Sequence, residues 1–457
     1  MERVCLSQEE DDLKIEKLTV KNFRCFESFE LQLDDRCTVL IGNNGSGKTA
    51  LLDALAIAAG SWFIDLHSMD TRSRSIVSEE VRYLRQEKQG VPFLEPQTPA
   101  GVEATGIVNG QFCHWSRYLN RIGGRTTYGD AEKIRAIATE TQHQISQGDD
   151  VNLPLIAYYG TGRLWVQKRS SSARQDNHQI GSRLQGYIDA LEPKSNQKLF
   201  EAWMKWREQA RIEAFAATLA EGNTLNSENG NYSVQTPHLT GVKNAVIACI
   251  PECIDFYYSV NHDQLRIRMT DGRIIPFHML SDGYRNFVGM VADIAWRSVQ
   301  LNPHLRADAP RRTQGIVLID EIDLHLHPSW QRQVLDSLLN TFKKLQFVVT
   351  THSPQVIASA QQQWMRLLLK GELQALNTEP VQGRDTNSIL RDIMGTSIRP
   401  EQMQKKLDKL LNLIEIGAIV QAREKLEALR IELGNNDQTL MGLEWELHDM
   451  EVHGAAD

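Results

Sequence analysis

A two-lobed α/β fold built on a strand, a phosphate-binding loop and a helix, with a compact helical insertion and a C-terminal helical extension, is what three separated stretches of this chain predict. The first, Gly42-Asn43-Asn44-Gly45-Ser46-Gly47-Lys48-Thr49, fits the G-x-x-x-x-G-K-[ST] pattern of a P-loop, follows the apolar run 37–41 and precedes a helical stretch over 50–59. Its glycines let backbone N–H groups crowd an anion at a helix N-terminus. Lys48 adds a point charge near the terminal phosphates, and the Thr49 hydroxyl suits a magnesium ion. The expected cofactors are ATP and Mg2+. The second stretch, Ile316-Val317-Leu318-Ile319-Asp320-Glu321, is a buried strand delivering two carboxylates at its end: Asp320 to hold the metal directly or through water, Glu321 to orient and deprotonate an attacking water. The third, Leu280-Ser281-Asp282-Gly283, opens another helix.

Residues 14–33 alternate apolar and polar side chains on either side of Asn22-Phe23-Arg24-Cys25-Phe26, which reads as two strands. Residues 105–108 and 111–115, joined through Asn109-Gly110, read as a hairpin. Leu155-Ile156-Ala157-Tyr158-Tyr159 is a buried strand running into Gly160-Thr161-Gly162-Arg163. Residues 183–221 read as helical, with Tyr187, Leu191, Phe200, Trp203, Trp206 and Phe215 at apolar positions, and 223–235 as a polar loop. Residues 254–260, 264–270 and 273–277 form a strand meander, and 347–352 a strand ending in His352. A capped strand-end histidine is the bland reading of that residue. Beyond it, 387–394 and 400–433 are helical, the latter divided at Gly417, and a final helix carries Leu440, Leu443, Trp445, Leu447 and Met450. The expected domains are a first lobe over 1–163, a helical insertion over 164–253, the meander and second lobe over 254–385, and a partner-docking helical region over 386–457.

Lys and Arg number 50 against 58 Asp and Glu, a net charge of -8, so any DNA contact has to be local. Arg163, Lys168, Arg169, Arg174 and Arg183 are its best support, although such a stretch is more often just a solvated loop. After Arg430 there is no Lys or Arg, while Glu432, Asp437, Glu444, Glu446, Asp449 and Glu451 suggest an acidic face for a basic partner or an ordinary solvated cap. No apolar run approaches the roughly 20 residues that span a bilayer, and the start lacks a signal-peptide core. A cytoplasmic protein without membrane contact is expected. The six cysteines lack C-x-x-C spacing and read as reduced, mostly buried thiols. Residues 164–279 hold no sustained heptads, which excludes a long coiled-coil tether and leaves a compact helical lid. His325 and His327 lack a third ligand for a metal site.

In their order and separations, the phosphate loop, Leu280-Ser281-Asp282-Gly283 and Asp320-Glu321 resemble the P-loop, signature and second acidic motif of the ABC-type ATPases. Leu18-Thr19-Val20-Lys21-Asn22-Phe23-Arg24 resembles the opening of the RecF, SMC and OLD branch. More narrowly, the run from Asp320 through His325-Leu326-His327-Pro328 to Gln331, Val349-Thr350-Thr351-His352-Ser353-Pro354, Leu280 to Arg285 and Gly186-Tyr187-Ile188-Asp189-Ala190-Leu191 are similar to the PtuA family of Septu antiphage systems, also found beside some retrons. The resemblance implies an ATP-dependent homodimer, or a higher oligomer, in which Ser281 and the backbone at Gly283 face the γ-phosphate held by the other subunit. It makes His352 the switch histidine and puts Arg24 on a nucleotide phosphate, with a solvated turn arginine as the competing reading. It also implies a defence ATPase that regulates a separate HNH nuclease of the PtuB kind and has no nuclease domain of its own. The glutamine that couples the lobes in this superfamily has one nearby candidate, Gln167. A RecF-like DNA-repair ATPase is the alternative. A transporter motor is disfavoured by Leu280-Ser281-Asp282-Gly283-Tyr284 in place of L-S-G-G-Q.

Overall fold

Period-two alternation produces β1 (Leu13–Phe23) and β2 (Phe26–Gln32), antiparallel strands that turn within two residues because Asn22 and Arg24 both accept positive φ. The wholly buried β3 (Cys37–Gly42) leads through the phosphate loop into α1 (Lys48–Ala59). A ribbon of β4 (Tyr83–Lys88) and β5 (Val91–Pro96) precedes the long hairpin of β6 (Ala100–Val108) and β7 (Gln111–Leu119), whose turn residues Asn109 and Gly110 both have positive φ. Then come α2 (Glu132–Gln147), β8 (Leu155–Tyr159), α3 (Gln197–Ala220) and α4 (Pro237–Cys249). The meander is β9 (Cys253–Ser259), β10 (Gln264–Met269) and β11 (Ile274–Pro276). It feeds α5 (Asp282–Leu301), α6 (Ala309–Arg312), β12 (Gly315–Ile319), α7 (Pro328–Gln331), α8 (Val334–Thr341), β13 (Leu345–Thr351), α9 (Pro354–Ser359), β14 (Met365–Leu369) and β15 (Glu372–Gln374). The computed structural model describes residues 13–66, 73–88, 91–163, 182–192, 197–220, 236–374, 381–395 and 399–453.

The central sheet has the order β15-β14-β3-β13-β12-β8. Strands β3, β8, β12 and β13 are buried along their whole length, which is why they read as unbroken apolar runs rather than alternating ones. They run parallel, with Thr351 beside Ile41, Ile319 beside Val349 and Ile319 beside Tyr159. Their C-terminal ends therefore share one edge, the place where open α/β sheets bind ligands. The antiparallel sheet β2-β1-β6-β7 is tied to the P-loop helix, since Trp115 Nε1 of β7 donates to Ala58 O of α1 at 3.0 Å.

Two expectations need correcting. The helix expected from residue 183 begins at Gln197; Arg183–Tyr187 is a single 3-10 turn. The physical reason is Pro193, which disfavours helical backbone at Glu192. Arg183 is no solvated basic residue either, because its guanidinium donates to the carbonyls of Leu301 and Val151. The described cysteines are mostly buried, as expected: Cys37, Cys113, Cys249 and Cys253 are, and Cys25 is exposed. The polar loop 223–235 and the residues Cys5, Gln167, Lys168, Arg169 and Arg174 lie outside the described residues.

Residues 13–384 belong to one compact unit and those from Asp385 onward to a second. In the second, α10 (Thr386–Asp392) is followed by α11 (Glu401–Glu415), α12 (Ile419–Leu433) and α13 (Gln438–His453). Gly417, at φ 71, makes the break between α11 and α12. Leu407, Leu410 and Ile414 meet Ala422, Leu426 and Leu429 and then Leu440, Leu443 and Leu447, so α13 completes a three-helix core. The acidic tail is also less acidic than its sequence suggests: Glu432 pairs with Lys406, Asp437 with Arg399 and Glu444 with Arg430. Trp445 remains 68% exposed. Among the described residues, no helix is long and apolar enough to cross a membrane.

Candidate nucleotide site

The phosphate loop enters α1 through Gly47, in the left-handed region at φ 99; a Cβ there would also lie 2.4 Å from the Phe26 ring. The next residue, Lys48, is buried, and its Nζ donates to Gly42 O at 2.8 Å and Asn43 O at 3.0 Å. Burial pushes its ammonium below the ordinary lysine value, while Asp320, Glu321 and Asp323 pull it back up. Asn43, Asn44, Gly45 and Thr49 are open to solvent, and Ser46 is buried with its hydroxyl unpaired among the described residues.

Thr49 Oγ1 donates to Asp320 Oδ2 at 3.0 Å. On the other side of that carboxylate, Thr350 Oγ1 donates to Oδ1 at 2.6 Å and accepts the Glu321 N–H at 2.7 Å. Glu321 itself has φ 49, an uncommon conformation for a residue with a Cβ and one that the Thr350 contact helps to hold. Farther along, Thr351 Oγ1 donates to Asp323 Oδ1 at 2.6 Å, and Ser353 Oγ donates to Gln331 Oε1 at 2.6 Å. His352 sits half-buried among these groups. Burial lowers its pKa first and the Lys48 charge lowers it further, against the opposing pull of Asp323 and Asp320. The imidazole is thus biased towards its neutral form.

The structure therefore gathers Lys48, Thr49, Asp320, Glu321 and His352 at the edge where β3, β12 and β13 end. The donor set also fits Mg2+. Cis oxygens on an octahedral Mg2+ lie about 3 Å apart, as Thr49 Oγ1 and Asp320 Oδ2 do. Among the described residues, no group of three or more His, Cys, Asp or Glu could hold a metal, so phosphate oxygens and water would have to complete such a shell.

The signature stands apart from this cluster. Ser281 is exposed just before α5, and Gly283 packs so closely on the loop after β12 that a Cβ would lie 1.9 Å from His325 O. Both line a cleft of about 640 Å³ with Tyr284, Trp330, Arg273 and Glu252, and none of residues 42–49 lines it. The Tyr284 and Trp330 rings close its floor with centroids 4.3 Å apart. Arg24 is not a solvated turn arginine. Its guanidinium pairs with Asp53 of α1 at 2.5 Å and with Glu80 at 3.2 Å, and Arg74 shares both carboxylates.

A family model for the AAA domain matches residues 17–229, and one for the AAA ATPase domain matches residues 130–357. An Escherichia coli protein described as "Retron Ec83 probable ATPase" is 28% identical over 484 residues, covering 95% of this chain and 86% of that protein. The Septu protein PtuA of Bacillus thuringiensis is 22% identical over 357 residues, covering 76% of this chain and 74% of its own. This chain is a homologue of a retron probable ATPase and of the Septu protein PtuA. With its P-loop, its signature helix and its two acidic residues at the end of β12, the ATPase homologue has a P-loop fold of the ABC type. A crystal structure of an SMC head bound to the C-winged helix domain of ScpA aligns at a TM-score of 0.45 and 15% identity, covering 80% of this chain and 99% of that one.

Several site residues of this ATPase homologue escaped the sequence reading. Thr350, Thr351 and Asp323 form the hydrogen-bonded frame around Asp320 and Glu321, yet in sequence they are ordinary strand and loop residues. Asp293 and Arg297 carried a usable signal: two opposite charges at i and i+4 inside an otherwise apolar helix. They form a fully buried ion pair.

Proposed function

We propose that the chain is the ATP-binding and ATP-hydrolysing regulatory subunit of a cytoplasmic antiphage defence complex, and that it controls a separate HNH nuclease. The observation that carries the enzymatic half is the Thr49–Asp320–Thr350 bridge, which aligns a P-loop hydroxyl and a strand-end carboxylate as neighbouring oxygen ligands and fixes the adjacent Glu321. The relatives named for retrons and for Septu support the defence half.

In this reading Thr49 and Asp320 would hold Mg2+, which would neutralise phosphate charge when bound. Lys48 leaves its carbonyl partners in the loop for the terminal phosphates. Glu321 orients the attacking water and accepts its proton, and neutral His352 donates a ring N–H towards the γ-phosphate. Ser281, exposed at the start of α5, completes the site of a second copy, so ATP holds two chains together about a twofold axis. Hydrolysis loosens that dimer, and the change in shape passes to the nuclease through the second unit.

The test is complementation. Lys48→Ala should lose nucleotide binding, Ser281→Arg should bind nucleotide without hydrolysing it, and mixing the two after verified subunit exchange should restore one composite site per heterodimer. A mixture as inactive as its parents would overturn the shared site. Lys48→Ala cells that resisted phage like the parent would overturn the link between ATP and defence.

A further inference from the structure

Strand β8 ends in two adjacent tyrosines, and neighbouring residues of a strand point to opposite faces of its sheet. Tyr158 faces the P-loop helix, where its hydroxyl donates to Asp53 Oδ1 at 3.2 Å. Tyr159 faces the signature helix, where its hydroxyl donates to Asp293 Oδ2 at 2.7 Å. The Tyr159 carbonyl also accepts the Asp320 N–H at 2.8 Å. Two consecutive residues thus touch α1, α5 and the strand end that carries the acidic pair.

These contacts are buried and tightly held. Asp293 Oδ2 also accepts Arg297 Nε at 2.8 Å, and Arg297 Nη1 donates onward to the carbonyls of Gly186 and Ile188. The Tyr158 N–H donates to Ala190 O at 2.8 Å, so the 183–191 segment is fastened to β8 as well as to α5. Burial and the neighbouring carboxylates raise the pKa of both phenols, which keeps them as hydrogen-bond donors. Asp53 lies one helical turn beyond Thr49. Any displacement of α1 would therefore reach Tyr158 through this contact. Asp293 stands roughly 16 Å along α5 from Asp282 at about 1.5 Å per residue, so a small rotation there moves Ser281 by more.

We propose that Tyr158 and Tyr159 are positioning residues that couple nucleotide occupancy of the P-loop to the orientation of the signature helix. The inference rests on the shared-site reading above, in which the position of Ser281 decides whether two chains close on ATP. Neither tyrosine touches the reacting atoms.

The experiment uses the full chain carrying Glu321→Gln, alone and with Tyr158→Phe, Tyr159→Phe or both. Binding of a fluorescent ATP analogue, the ATP dependence of dimer formation by light scattering, and amide hydrogen exchange over residues 282–290 with and without ATP and Mg2+ are measured on each. Both single variants should bind the analogue within about twofold of the parent, need about tenfold more ATP for half-maximal dimer, and lose the ATP-dependent change in exchange. The double variant should be no worse than the stronger single one, since both groups lie on one path. An ATP response of α5 unchanged in both variants overturns the proposal. So does a loss of analogue binding in step with it, which marks a structural role. If Glu321→Gln forms no dimer, the shared-site reading fails separately, and exchange over 282–290 still decides: an ATP-dependent change that the tyrosine variants lack supports coupling, and no change in the parent overturns it.

Discussion

Thr49 Oγ1 and Asp320 Oδ2 lie 3.0 Å apart across 271 positions of sequence, joined because β3 and β12 end on the same edge of one parallel sheet. Removing one partner separates binding of metal from binding of nucleotide. Thr49→Val should raise the Mg2+ concentration for half-maximal ATPase activity by about tenfold, the cost of one lost oxygen ligand, while metal-free nucleotide binding changes little. Asp320→Asn should lower kcat by about a hundredfold or more, because it also disturbs the Thr350 hydroxyl that holds Glu321. Magnesium titrations at saturating ATP check both, and a Thr49→Val enzyme with the parental Mg2+ dependence would remove Thr49 from the metal site.

The pH dependence of stability follows from three histidines. Burial is the first cause of a lowered pKa at His238, His304 and His352. Because each folded-state value lies below the ordinary one near 6.5, the unfolded chain takes up protons first as pH falls. Their contribution is intact above about pH 6.5 and is lost progressively as pH drops towards the folded values. Thermal unfolding should therefore begin at a lower temperature at pH 5.5 than at pH 7.5, and His238→Gln should narrow that gap. A Tm that rises on acidification across this interval contradicts the assignment.

Much of the central sheet was legible because covered parallel strands must be apolar throughout, and the phosphate loop because its spacing is dictated by backbone geometry. Both depend on local sequence. The frame around Asp320 was not legible, since Thr350 and Thr351 acquire their roles only when β13 lies beside β12. The pairing of Arg24 with Asp53 and Glu80 was hidden for the same reason. In the C-terminal unit, helical spacing revealed the apolar stripes, but the charges on the outer faces read as a free acidic surface until the structure paired Glu432, Asp437 and Glu444 with basic residues of other segments.

Gly283 leaves no room for a side chain, because its Cα faces the His325 carbonyl. Gly283→Ala should displace the loop after β12 and cost about 1–3 kcal/mol of stability, as overpacking generally does. Since that loop carries Glu321, ATPase activity should fall more steeply than folding does. Urea denaturation and turnover measured on the same preparation check this, and parental values for both would show that the contact yields freely.

Leu410 lies at the centre of the three-helix core and is fully buried. Leu410→Ala should destabilise the second unit by about 2–5 kcal/mol, the usual range for a leucine cavity. The P-loop lies in the other unit, so ATP analogue affinity should be unchanged. Limited proteolysis should then cut the variant after residue 385 while leaving an intact first unit, and uniform digestion of both units would argue that they fold as one.

The second unit is also where the proposed nuclease contact can be tested, and the structure changes how. Cutting the chain after Leu433 removes Leu440, Leu443 and Leu447 and exposes the apolar faces of α11 and α12, so loss of capture by a truncated chain would report unfolding as readily as a missing interface. Replacing Glu444 has a similar flaw, because its carboxylate pairs with Arg430. Trp445 avoids both problems: it is exposed on α13, on a helix whose buried positions are Leu440, Leu443 and Leu447. Large exposed aromatics are frequent anchors of protein interfaces. Trp445→Ala should leave the Tm of the chain and its ATP binding within error of the parent, yet weaken capture of the HNH nuclease in pull-downs by about tenfold or more and reduce protection from phage in parallel. Full capture by Trp445→Ala, with parental plaque counts, would move the docking surface off α13.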